Sequence, residues 1–262
     1  MTRLRLPRPL SVLLLATVLA GLAGCATGPN PRDPFEPFNR KVAQFNEDVD
    51  EAVLKPVATT YRDTVPELAR TGVTNFFGNL GDAWSAANAL LQLRIQHAAE
   101  NWLRFSFNTV FGFAGVLDIA TEMGVERHRK DFGQTLGRWG VPSGPYLVLP
   151  LLGPSTLRDT AALPVDARGD LVHQFDPSAA ENSLYVLRAV DLRANLLRAS
   201  SMLEDVALDK YSFTRDAYLQ LRQAEIDNGR PSRDDDSDAG GNIPPLDDDD
   251  EGGQIPREDE PR

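Results

Sequence analysis

The side chains able to do chemistry are few and scattered. The three histidines, His97, His128 and His173, have no second ligand at metal-binding spacing, and no HExxH occurs. His128 sits in Glu126-Arg127-His128-Arg129-Lys130-Asp131, which reads as a solvated charged loop. Cys25 is the single cysteine, so neither a disulfide framework nor a cysteine zinc site can form. There is no G-x-S-x-G nucleophile turn. Gly133 to Gly140 is glycine-rich but fits neither a phosphate loop nor a dinucleotide fingerprint, so its glycines are expected at turns and close packing. Arg158-Asp159 is expected to be an ion pair at a structural junction. No metal, cofactor or catalytic constellation emerges, and the chain reads as a non-enzyme.

Cys25 has a different chemistry. Arg3, Arg5 and Arg8 precede the uncharged apolar run Leu10 to Leu22. That run is shorter than the roughly 20 residues of a membrane-spanning helix. Leu22-Ala23-Gly24-Cys25 follows and resembles a bacterial lipobox. Small residues before the cut fit the peptidase, the thiol takes a diacylglycerol, and the freed amine can take a third acyl chain. A plain secretory signal with an incidental cysteine is the alternative. The chain's one cysteine stands where a lipobox needs it, which favours residues 1–24 as a lipoprotein signal, Cys25 as the lipid attachment site and 25–32 as a tether. Each buried methylene adds about 0.8 kcal/mol, so two or three acyl chains hold firmly. Ala26 is not the acidic residue that retains lipoproteins at the inner membrane, which favours the outer membrane.

The elements that must position everything else lie between two extremes of charge. The 262 residues carry a net charge of −11, concentrated in residues 228–262, where four arginines face twelve acids. That tail is rich in Asp, Gly, Pro and Ser and is expected to be disordered. The acidic balance argues against nucleic acid as a partner. Hydrophobic residues make up 42%, enough for a core in residues 33–227.

Periodicity in that body is helical. Phe35, Phe38, Val42, Phe45 and Val49 form one stripe, with Asp33 as a cap and Lys55-Pro56 as the expected end. A second helix is expected from Pro66 to Gly81, a third capped by Asp82, and a fourth from about Gln96 towards Asn108. Val141 to Pro154 is punctuated by prolines and glycines and reads as an extended loop; no strand is expected with confidence. Helix returns near Leu184, and Ser212 reads as the cap of the last helix, which Asn228-Gly229 and Pro231 stop. Phe105 to Leu117 is uncharged and holds four phenylalanines with Gly112 and Gly115. A buried core helix and a helical hairpin lying in one leaflet both fit it; the residues alone favour the core.

Several short motifs in fixed order carry a resemblance. They include Asp33-Pro34-Phe35-Glu36, Phe38-Asn39-Arg40, Phe45-Asn46, Lys55-Pro56-Val57-Ala58, Asn75-Phe76, Asn79-Leu80, Arg104-Phe105, Asn108-Thr109, Asp131 to Leu136, Gly144-Pro145-Tyr146 and Leu157-Arg158-Asp159. Behind a lipobox, this order resembles the MlaA (VacJ) family of outer-membrane lipoproteins. The chain departs from the family pattern at Gly81-Asp82, Leu93 and Thr160 to Ala162, and matches poorly after about Asp170.

The resemblance implies an all-α fold: a ring-shaped arrangement of amphipathic helices with a short membrane-embedded hairpin. It implies transport of mislocalised phospholipids from the outer leaflet of the outer membrane to a periplasmic phospholipid carrier protein, and association with a trimeric porin, with no cofactor. A structural, porin-associated role without transport is the alternative. In this light Phe105, Phe107, Phe111 and Phe113 become candidate membrane contacts. Asn75, Asn79 and Asn108 become candidates for the polar face of a channel, and the acidic tail for a contact with the carrier.

Overall fold

A computed structural model describes residues 30–175, 178–206 and 209–227. The leader, Cys25, most of the tether and the acidic tail lie outside the described residues. What is described is predominantly helical, with one small two-stranded sheet.

The chain enters through a turn in which the Asp33 carboxylate is buried, accepting from the Asn39 amide at 2.8 Å and the Tyr211 hydroxyl at 2.5 Å. Helix α1 spans Glu36–Val49 with Pro37 in its first turn, where the missing N–H costs nothing. Its phenylalanine stripe is helical as expected but faces the other way: Phe38 and Phe45 are exposed, while Asn39 is buried. Asn39 and Asn46, two turns apart, read the backbone of strand β1 (Tyr146–Leu149) and the turn after it. Asn39 accepts from Val148 N–H and donates to the Tyr146 carbonyl, each at 3.0 Å. Asn46 donates to the Leu149 carbonyl at 2.9 Å and accepts from Leu151 N–H at 2.8 Å. The open sheet edge is thereby covered by a helix.

Lys55-Pro56 does not end the first helix. A π-helical turn, Asp50–Leu54, runs into α2 (Lys55–Thr64), and Lys55 N–H reaches the Asp50 carbonyl. The wider turn lets the chain pass a proline that lacks a donor and would clash in a regular helix. Ala58 of α2 packs on Ala194 and Leu197 of α8 (Ser178–Val206), with Tyr61 alongside.

Two expected helices are one. α3 runs unbroken from Glu67 to Leu91, through Gly81 and Asp82. Asp82 is no cap; it is buried and ion-paired. A tight connection at 92–94, with Leu93 at φ 58°, returns the chain as α4, Ile95–Val110. The helical hairpin is therefore α3 with α4, and not Phe105–Leu117 itself: 105–110 ends α4 and 111–117 is a compact loop. No helix among the described residues is long and apolar enough to cross a membrane.

Helix α5 (Ile119–Glu122) leads into a strap, 125–131, and then α6, Phe132–Arg138, capped by Asp131 on Gln134 N–H at 2.8 Å. The segment expected to be a loop folds back as an antiparallel hairpin, β1 with β2 (Gly153–Thr156). Its prolines sit at the ends and edges, where no ladder donor is needed. α7 is Leu157–Gly169, capped by Thr156, followed by a short 3-10 turn, Leu171–Gln174. α9, Lys210–Asp227, is capped by Asp209, which accepts from Tyr211 and Ser212 N–H; Ser212 is inside the helix.

Glycines at α6 mark close packing. A Cβ on Gly133 would lie 2.5 Å from Asp159 Oδ1 and 2.7 Å from the Arg222 guanidinium, whereas one on Gly81 meets nothing within 4 Å. Gly133→Ala is therefore expected to cost about 1–3 kcal/mol. Gly81→Ala, inside a helix, is expected to gain about 0.5–1 kcal/mol. Paired thermal melts check both signs.

Candidate functional site

The interior is unusually polar and the surface unusually apolar. Buried positions include Asn79, Asp82, Asn88, Asn101, Arg104, Asn108 and Asp159, while Leu68, Leu93, Trp102, Phe111, Phe113 and Leu152 are exposed. Water does not favour that distribution. Surroundings made of acyl chains do.

The buried polar groups are bound to one another. Arg104, 1% exposed, donates to both oxygens of Asp118 at 2.6–2.7 Å, to Thr121 at 3.1 Å and to the Val125 carbonyl at 2.5 Å. Its Nε faces Asp82 at 3.4 Å, and Arg127 closes on the same carboxylate at 2.9 Å. Burial pushes the Asp82 carboxyl above the usual range despite these cations. Burial would raise Asp118 too, but hydrogen bonds from Thr121 and Asn108 and the charge of Arg104 outweigh it and hold the carboxyl low.

Beside this cluster lies a cavity of about 1150 Å³ between α3, the strap, β2, α7, α8 and α9. That is somewhat above the roughly 300–1,000 Å³ of ligand pockets. Its lining combines apolar side chains, such as Phe77, Leu80, Leu163, Leu192 and Leu196, with charged ones, such as Arg127, Arg129, Lys130, Asp131, Asp159 and Arg222. Most of these charges are already matched. Arg222 bridges Asp131 at 2.6 Å and Asp159 at 2.9 Å, Tyr218 donates to Asp159 at 3.0 Å, and Arg188 binds Asp170 at 2.7 Å. Burial opposes charge on Asp159, but the hydrogen bond and charge of Arg222 prevail and lower it. Asp166, with Trp84 and the Phe132 N–H as donors at 2.8 Å, is raised by burial. Arg158-Asp159 is indeed a structural junction, its own contact 2.9 Å long.

None of the three asparagines expected on a polar channel face lines this cavity. Asn79 donates to Thr109 at 2.9 Å, Asn75 to the Val116 carbonyl at 3.2 Å, and Asn108 donates to Asp118 and accepts from Ala120 N–H, each at 2.9 Å. Asn79 thus ties α3 to α4, and Asn75 and Asn108 tie the 111–120 segment to that hairpin. The aromatic candidates divide. Phe111 and Phe113 are exposed, Phe113 at 77%; Phe105 and Phe107 are half-buried, against Trp102 and Phe111 respectively. The cavity charges were missed because the strap motif reads as a solvated loop. The available signal was three cations at 127, 129 and 130 just before a helix cap.

His128 is not simply solvated either. Its ring stacks on His97 with centroids 3.8 Å apart, and its Nε2–H donates to the Glu100 carboxylate at 2.6 Å. Burial, then the positive neighbours, lower the His97 pKa, and its Nδ1 is buried without a partner. The folded state therefore refuses a proton that the unfolded chain accepts. Stability is full above about pH 6.5 and falls as the pH drops through that value. Thermal melts at pH 7.5 and 5.5 check this, and His97→Asn is expected to shrink the difference.

A family model for "MlaA lipoprotein" matches residues 31–225, nearly all of the described chain. This chain belongs to the MlaA lipoprotein family. The Escherichia coli (strain K12) "Intermembrane phospholipid transport system lipoprotein MlaA" is 36% identical over 234 residues, 84% of this chain and 89% of that protein. The Haemophilus influenzae protein of the same name is 33% identical, covering 83% of this chain and 91% of its own. A solved structure from "Structural basis for maintenance of bacterial outer membrane lipid asymmetry" aligns with a TM-score of 0.62 and 34% identity. It covers 74% of this chain and 98% of its own. The MlaA match reaches α9, so the C-terminal helices belong to the family fold although the sequence motifs fade after Asp170.

Proposed function

We propose that this chain is an outer-membrane lipoprotein that removes mislocalised phospholipid from the outer leaflet and passes it to a periplasmic phospholipid carrier protein. The observation that carries this reading is the amphipathic cavity inside a protein whose large apolar side chains face outward. A phospholipid needs a polar wall for its head group and an apolar wall for its chains. The names of the E. coli and H. influenzae relatives and the subject of the related structure support the reading. In this reading no covalent bond is made or broken.

The finer assignments rest on the lipobox motif and on the family resemblance. Residues 1–24 are a signal, Cys25 carries the lipid, 25–32 tether the chain at the periplasmic face, and 33–227 form the transporting unit. The helices close as a ring in the periplasmic leaflet, with Phe105, Phe107, Phe111 and Phe113 on its acyl side and a trimeric porin beside it. The acidic charge of residues 228–262 serves contact with the carrier. Outer-leaflet phospholipid, read by a surface-active phospholipase in intact cells lacking this gene, tests the reading. A rise reversed by the wild-type protein, but not by Cys25→Ala, is expected. No rise, in cells without a second copy, would favour a structural companion of the porin.

A further inference from the structure

The basic side chains lining the cavity are not equivalent. Arg222, Arg127 and Arg188 are each held by a carboxylate within 3 Å. Lys130 is buried, its Nζ 3.4 Å from the Glu225 carbonyl. Arg129 differs. It lines the same cavity and is exposed, and among the described residues it makes no hydrogen bond or ion pair. Its backbone is nevertheless fixed on both sides. Asn101 grips the His128 peptide at 2.7 and 3.0 Å, and Ser85 accepts from Lys130 N–H at 3.1 Å. An uncommitted guanidinium thus hangs from a rigid strap into a space that Phe77, Leu80 and Leu163 also line.

We propose that Arg129 is the phosphate-binding residue of the cavity, holding the phosphodiester of a glycerophospholipid while the acyl chains lie along the apolar wall. The proposal rests on the transport reading and adds the recognition element to it. A guanidinium fork matches two phosphate oxygens, and Arg129 is the lining arginine whose charge no carboxylate among the described residues already balances. The phosphodiester is common to zwitterionic and anionic phospholipids, so both are held alike. Inorganic phosphate shares the anion but lacks the chains.

The test uses full-length, lipidated protein incubated with vesicles of phosphatidylethanolamine and phosphatidylglycerol, re-isolated, and assayed for phospholipid retained per protein. Arg129→Glu is expected to retain about tenfold less of both lipids, and Arg129→Gln an intermediate amount. Melting temperatures of both variants should match wild type, because the side chain supports no other group. Diacylglycerol, which has no phosphate, should load equally into wild type and Arg129→Glu. Equal phospholipid loading by wild type and both variants overturns the role of Arg129 and leaves the cavity reading intact. No loading of the wild type overturns the cavity reading itself. Displacement of bound lipid by inorganic phosphate alone would make this a simple anion site and overturn the lipid assignment.

Discussion

Replacing Arg104 with leucine is expected to lower folding stability by about 3–5 kcal/mol, a large share of the roughly 5–15 kcal/mol that holds a domain together. Arg104 and Asp82 are each 1% exposed, so the substitution removes a buried cation and leaves Asp82 and Asp118 to share Arg127 alone, at 2.9 and 3.6 Å. It also releases the Val125 carbonyl and so loosens the strap that carries Arg127, Arg129 and Lys130. The loss should depend on pH. Asp82 is already raised by burial, and without Arg104 it takes a proton more readily still. Acid then relieves the stranded charge, so the difference from wild type should shrink between pH 8 and pH 5. Adding Asp118→Asn should recover part of the stability, because Arg127 then faces one buried acid and not two. Thermal melts followed by circular dichroism check all three statements.

The second large effect concerns the outward apolar surface. Phe111 and Phe113 are 63% and 77% exposed in the loop that follows α4, and Phe113 sits at φ 51°. Asparagine tolerates that left-handed backbone and aspartate or serine suits the neighbouring turn. Phe111→Ser with Phe113→Asn therefore removes two aromatic rings at little cost to the fold, within about 0.5 kcal/mol for surface positions. If the rings lie among acyl chains, each contributes about 1.5–3 kcal/mol to membrane partitioning. Vesicle flotation of protein carrying Cys25→Ala, which takes the anchor out of the comparison, should show a loss of about 100-fold or more for the double variant. An unchanged partition would place this loop outside the membrane. Trp102→Ser, on the outer face of α4, offers an independent point on the same surface.

Sequence alone revealed the helical class and less of how the faces are turned. The stripe of Phe35, Phe38, Val42, Phe45 and Val49 fixes a helix, but periodicity cannot say whether an apolar face meets protein or lipid. Here the interior face is that of Asn39 and Asn46, which cap a sheet edge more than 100 residues away in sequence. Pro56 and Gly81 read as stops for sound local reasons. The first is passed by a π turn, and the second lies in a helix held by long-range ion pairs, neither of which a local signal contains. The short β hairpin was hidden by its prolines, which sit where the ladder needs no donor.

The candidate site was legible in parts. Arg104 and Asn108 stand four apart in an otherwise uncharged stretch, a spacing that puts them on one helix face. Their partner Asp118 lies beyond a tight loop, and only the fold brings it back. The asparagines became candidates through the family resemblance; Asn79 bonds within the hairpin, and Asn75 and Asn108 bond the segment that follows it. Three of the cavity's cations, Arg127, Arg129 and Lys130, sit instead on the strap. Its charge pattern looked solvated because the apolar walls facing it come from helices far along the chain.

The central claim is that phospholipid enters the cavity. Phe77 lines it and is only 7% exposed, whereas Phe113 faces outward. A photo-reactive phenylalanine analogue at each position, irradiated in living cells, reports the lipids each one touches. Phe213 of α9, exposed and away from the cavity lining, serves as reference. Phospholipid adducts at both Phe77 and Phe113 are the expected result. Adducts at Phe113 with none at Phe77 would contradict the account, leaving a protein that rests in the membrane but carries no lipid through its interior.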